Sequence, residues 1–182
     1  MTIGFRFKER AQRAAGVIVG LIGVMLTPTL WANTIQPTLD QTLANGLRVL
    51  VYENRRAPTA LHMVWVKAGS IDESSGATGL AHVLEHMMFK GTKTLAPGEF
   101  SRRIAALGGR ENAFTAKDYT GYFQQVHRDS LREVMRLEAE RQRFLKIDEA
   151  EFKKEIQVVM EERRLRTDDN PSSLAHEMLV SQ

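Results

Sequence analysis

From residue 129 onward the pattern of this chain turns to long charged helices, and that change limits the folds open to it. Before it, residues 59–67 (TALHMVWVK) alternate apolar and polar positions and are rich in β-formers, the two-residue period of a half-buried strand. Residues 41–44 and 47–53 flank Asn45-Gly46, a pair that tolerates positive φ and signals a two-residue type I′ hairpin. Residues 59–67 are expected to pair in the same sheet, and residues 112–116 and 119–127 predict two further strands. Two short helices interrupt them, over 79–89 and over 97–107, the second opened by Pro97 and stopped by Gly108-Gly109. After residue 128 only long charged helices remain: 129–145, capped by Asp129 or Ser130, then 148–167, then one opened by Pro171. Strands first and helices after predict an α+β fold in two layers, a mostly antiparallel sheet with helices packed on one face.

The 182 residues leave room for one domain. Four of the 25 basic residues and one of the 22 acidic ones fall in the first 32 positions, leaving 21 of each sign. The remainder is neutral and has no aromatic-basic stripe, so nothing points to nucleic acid as a partner. Residues 1–32 read as a signal peptide: basic residues up to Arg13, the uncharged apolar run 14–26, Pro28, and a cleavage point after Ala32. The run is 13 residues, short of the ~20 that span a bilayer. The expectation is an exported, periplasmic protein, with a retained membrane anchor or mitochondrial import as alternatives. Residues 33–38 read as a linker and 39–182 as the folded domain. The chain has no cysteine, which leaves any metal site to imidazole and carboxylate.

Chemistry is concentrated in His82-Val83-Leu84-Glu85-His86. On a helix, positions i and i+4 stand one above the other, so both imidazoles can reach one ion, and Glu85 at i+3 points to the same side. Two neutral imidazoles suit zinc, which then needs a third protein ligand and an open position. Leu80, Val83, Leu84, Met87 and Met88 supply the helix with an apolar face. Further on, Glu155 and Glu162 lie two turns apart on one helix face with Val158 and Leu165, a placement that calls for something positive opposite. His62, His127 and His176 read as structural or exposed.

The H-x-x-E-H order resembles the inverted zincin signature, and with it the pitrilysin-like zinc metallopeptidases, which include insulin-degrading enzyme and the mitochondrial processing peptidase. In that family the third ligand is a Glu some 75 residues on. Here Glu161 and Glu162 are the candidates, and Glu162, 76 residues after His86, fits the spacing. The family's acidic residue seven positions earlier corresponds to Glu155, which the resemblance places behind a ligating imidazole. Gly108-Gly109, Thr120-Gly121-Tyr122 and the segment Asn112, Ala113, Phe114, Thr115 are similar to the family's substrate-binding strand beside the zinc helix. The resemblance therefore implies a zinc endopeptidase acting on peptides or small unfolded proteins, one Zn²⁺ on His82, His86 and Glu162, and Glu85 as base.

The resemblance covers 39–182, the opening portion of a family member. It implies an incomplete first half: either a truncated product or gene fragment, or a chain whose second half, including an Arg-Tyr pair, comes from a second family subunit. Two other readings stay open. One is a non-catalytic family subunit that binds peptides or a partner chain. The other is a membrane-anchored interaction module, if the N-terminal segment is uncleaved.

Overall fold

The computed structural model describes residues 36–180, so the leader expected over 1–32 lies outside the described residues. The chain divides into two units, the first ending at Glu53.

In the first unit, β1 (Leu39–Thr42) pairs antiparallel with β2 (Arg48–Val51), with Leu39 opposite Val51 and Thr42 opposite Arg48. The Asp40 carboxylate accepts two bonds from Arg48, at 2.8 and 2.6 Å, across the hairpin. The two-residue type I′ turn expected at Asn45-Gly46 does not form. No non-glycine residue among those described has positive φ, so Asn45 cannot take its part in that turn. Instead Gly46, at φ 86°, makes the left-handed step alone. The loop closes through Gly46 N–H to Leu43 C=O (2.9 Å) and Leu43 N–H to Leu47 C=O (2.8 Å). This is a type I turn with a glycine bulge.

The second unit carries β3 (Thr59–Val66), α1 (Leu80–Met87), α2 (Glu99–Ala106), β4 (Arg110–Thr115), β5 (Thr120–His127), α3 (Leu131–Phe144), α4 (Glu149–Arg163) and α5 (Pro171–Val180). The sheet order is β3-β5-β4, all antiparallel. The expectation that residues 59–67 join the hairpin's sheet is therefore corrected: β3 pairs with β5, Ala60 opposite Val126 and Val66 opposite Thr120. The eight residues of β5 pair with one edge of β3 along its whole run.

Alternation along β5 turns Thr120, Tyr122, Gln124 and Val126 to the helix side, where all four are buried. Leu95, Phe100, Ile104, Val126, Val134 and Leu137 form the core, so α2 and α3 pack on one face of the sheet. On the other face Phe114 meets Trp65 edge-on at 5.5 Å, and Gly121 leaves room for the Phe114 ring, which an added Cβ would meet at 2.5 Å.

Two helix starts differ from expectation. α2 begins at Glu99, because Gly98 at φ 70° takes the position before the first turn and Glu99 bonds back to the Ala96 N–H at 2.9 Å. α3 is not capped by the side chain of Asp129 or Ser130: a 3₁₀ turn over Arg128–Ser130 leads in, and His127 Nδ1 accepts from the Asp129 N–H. The interior also holds an ion pair that the pattern gave no reason to bury. Arg141, fully enclosed, donates to Glu138 at 2.6 Å, and its guanidinium carbon lies 4.2 to 4.9 Å from the ring centres of Phe100, Phe89 and Tyr122. Glu138 also accepts from Gln124 Nε2 at 2.9 Å, and His62 Nδ1 lies 2.8 Å from Gln124 Oε1.

Candidate metal centre

α1 buries Val83 and Met87 and so turns His82, Glu85 and His86 toward a cleft between α4 and β4. Gly79 precedes the helix and has no side chain with which to cap it. Glu73 does so from the preceding loop, accepting from the Gly79 and Ala81 N–H groups, each at 2.7 Å. That places a carboxylate at the positive end of the helix dipole. Asp148 caps α4, its carboxylate accepting from Ala150 and Glu151 N–H.

Among the described residues, one set of three potential ligand atoms converges, from His82, His86 and Glu162, all within 4.8 Å of one another. The two imidazoles face each other with Nε2 atoms 3.2 Å apart and rings at 82°. Lone pairs at that distance repel unless a proton or a cation lies between them. Two zinc–nitrogen bonds of ~2.05 Å at the tetrahedral angle would set the nitrogens ~3.3 Å apart. Glu162 lies 3.7 Å from His82 Nε2 and 3.8 Å from His86 Nε2. Its Oε2 is buried without a hydrogen bond; Arg166 Nη1 stands 3.1 Å from it as an ion pair but lacks hydrogen-bond alignment. An N₂O set with an under-satisfied carboxylate oxygen fits zinc. Glu161, the other candidate, instead faces solvent and pairs with Arg164 at 2.5 Å.

Glu155 stands behind the pair. Its Oε2 lies 3.1 Å from His86 Nδ1, so a proton on Nδ1 leaves the Nε2 lone pair free for a metal. Burial raises the Glu155 pKa, but hydrogen bonds from Lys90 and His86 outweigh it and hold the carboxyl below its ordinary range. Glu85 Oε2 accepts from Thr115 Oγ1 at 2.5 Å.

The four positions read as a substrate strand, Asn112, Ala113, Phe114 and Thr115, all line this cleft on β4. β4 is an edge strand among the described residues. Asn112 Oδ1 takes the Ala113 N–H at 2.9 Å. The cleft holds about 1390 Å³, more than a small-molecule pocket needs and enough for an extended peptide. His62 and His127 are bonded elsewhere, and His176 is exposed on α5. Sequence reading missed three contributors: Glu73, Lys90 and the Thr115 hydroxyl on Glu85. For Lys90 a signal was present, since it lies four residues after His86 and continues the His82–His86 stripe. The other two depend on a loop and a strand folding back.

A family model described as Insulinase (Peptidase family M16) matches residues 48–182. The chain is 38% identical over 165 residues to the Zinc protease PqqE of Helicobacter pylori, covering 87% of this chain and 37% of that protein. It is 36% identical over 121 residues to the Probable mitochondrial-processing peptidase subunit beta of Arabidopsis thaliana, covering 66% and 23%. The crystal structure of a protease from Helicobacter pylori superposes with a TM-score of 0.73 at 40% identity, covering 76% of this chain and 34% of that one. The chain thus spans about a third of the length of the first of these relatives.

Proposed function

Since this chain belongs to the insulinase family of peptidases (family M16), we propose that its cleft is the catalytic centre of a zinc-dependent endopeptidase. His82, His86 and Glu162 would hold the ion, Glu85 would act as the base, and β4 would bind an extended peptide. The observation that carries this reading is the convergence of the three donor groups on one point, with Glu85 on the same helix face.

Zinc held by these residues supplies a lowered water pKa and a polarised scissile carbonyl. The chain's own residues do the rest. Thr115 occupies Glu85 Oε2, which leaves Oε1 to take the proton of the attacking water and return it to the departing amine. Glu155 keeps the proton on His86 Nδ1 and thereby fixes the ring. The β4 edge offers N–H and C=O groups to any extended backbone, and Asn112 would yield the Ala113 N–H when a peptide arrives.

His82 and Glu162 side chains remain about three-tenths exposed, at 30% and 27%. We propose that further family sequence, or a second family subunit, closes over them. The export of the protein is proposed on the basic-then-apolar pattern of residues 1–32, and N-terminal sequencing of the mature protein tests it.

The test is zinc stoichiometry and peptide cleavage, with and without a chelator, for the wild type, Glu85→Gln and His86→Ala. Glu85→Gln is expected to keep about one zinc per chain and lose turnover, and His86→Ala to lose zinc. A wild type that binds no zinc, or a Glu85→Gln protein that has lost it, contradicts the assignment.

A further inference from the structure

We infer that Lys90 is a positioning residue of this metal centre: it anchors Glu155 against His86 and so fixes the direction of the His86 Nε2 lone pair. The inference rests on the zinc-site reading above. His82, His86 and Lys90 recur every four residues, and the Lys90 N–H bonds to Met87 C=O at 2.9 Å, which keeps Lys90 on the helical course beyond the end of α1. Glu155 and Glu162, seven apart on α4, form the facing stripe. The two stripes cross as a ladder. Glu162 stands opposite His82 and His86, Glu155 opposite His86 and Lys90. The upper rung can take a metal ion, whereas the lower rung is closed by a cation of the chain itself.

Each Glu155 oxygen has one partner: Oε1 takes Lys90 Nζ at 2.5 Å and Oε2 faces His86 Nδ1 at 3.1 Å. The Glu155 side chain is 8% exposed, so its two partners within the protein do most to hold it. Without Lys90, one oxygen of a buried carboxylate loses its bond. The carboxylate is then free to turn from His86 toward any cation held by His82 and Glu162, as a rival ligand rather than a support. His86 would lose the contact that fixes its ring and tautomer. An ion pair that merely welds the end of α1 to α4 would instead lower zinc affinity and the metal-free thermal midpoint together, because the ligands come from both helices.

Zinc affinity of the metal-free full chain, measured by competition with a chromogenic chelator, separates these roles. The variants are Lys90→Met, Lys90→Arg, Glu155→Gln and the double Lys90→Met/Glu155→Gln, each with its metal-free thermal midpoint. Lys90→Met is expected to weaken zinc binding ~10-fold or more, the usual effect of losing a supporting partner, and Lys90→Arg to restore it within ~3-fold. In the Glu155→Gln background Lys90→Met is expected to add under ~2-fold, because both act through one carboxylate. Should Lys90→Met fail to fold, Lys90→Gln carries the same comparison. Unchanged affinity in the Lys90 variant, or an equal loss with and without Glu155, overturns the inference. The former with tight wild-type binding removes only the role of Lys90; a wild type that binds no zinc removes the zinc-site reading and this inference with it.

Discussion

Arg141→Met is expected to be among the most damaging single substitutions in this chain, although it lies outside the cleft. The guanidinium is fully enclosed, Glu138 is 3% exposed at the side chain, and the two meet at 2.6 Å. An exposed pair of this geometry contributes ~0–1 kcal/mol. Burial changes the arithmetic, because removing one partner strands the other charge away from water at a cost of ~3–5 kcal/mol. The three surrounding rings lose their cation as well, and methionine fills the space without replacing it. For a chain of this size such a loss lowers the thermal midpoint by ~6–20 °C. Urea denaturation of Arg141→Met, Glu138→Gln and the double variant tests the cause. Glutamine still accepts from Gln124 but carries no charge, so the double variant is expected to be more stable than Arg141→Met alone. If Arg141→Met costs under ~1 kcal/mol, or if Glu138→Gln adds a further penalty on top of it, the stranded-charge argument is wrong.

Two further outcomes are expected. Glu73→Ala removes the carboxylate that caps α1 at two N–H groups and should cost ~1–2 kcal/mol in urea denaturation, with Glu73→Gln losing less. Burial pushes the Tyr122 hydroxyl up to about 12, above its ordinary value. The folded state then keeps a proton that the unfolded chain gives up first, so stability should fall as pH rises from about 10 through about 12. Tyr122→Phe should flatten that alkaline limb in thermal scans; an unchanged limb would assign it elsewhere.

Those parts of the site that lie on single helices were legible from the sequence. His82, Glu85 and His86 share one turn of α1, so helical spacing groups them. Glu155 and Glu162 share one face of α4, but the family resemblance singled them out from the other carboxylates of that helix. Which helix faces which is a tertiary fact, and there the resemblance to a known family supplied the pairing that spacing could not. The antiparallel sheet with helices on one face followed from the order of the elements, strands first and helices after. The hairpin turn did not, because Asn45 permits a left-handed conformation without requiring it, and Gly46 alone suffices. Arg141 and Glu138 were hidden for another reason. On a helix as charged as α3, an i, i+3 pair reads as solvated surface until three aromatic rings from other elements close over it.

Thr115 is the last residue of β4, and its hydroxyl rests on Glu85. The proposed base therefore takes its bearings from the sheet as well as from its own helix. A slip of the strand by one residue would put the Thr115 side chain on the opposite face and leave the carboxylate oxygen unheld, even with α1 unmoved. Such a slip would also turn Phe114 away from Trp65, so it would detune proton transfer together with the packing of the sheet. Variants in the β4–β5 turn, far in sequence from the histidines, are accordingly expected to reach the proposed base through the strand.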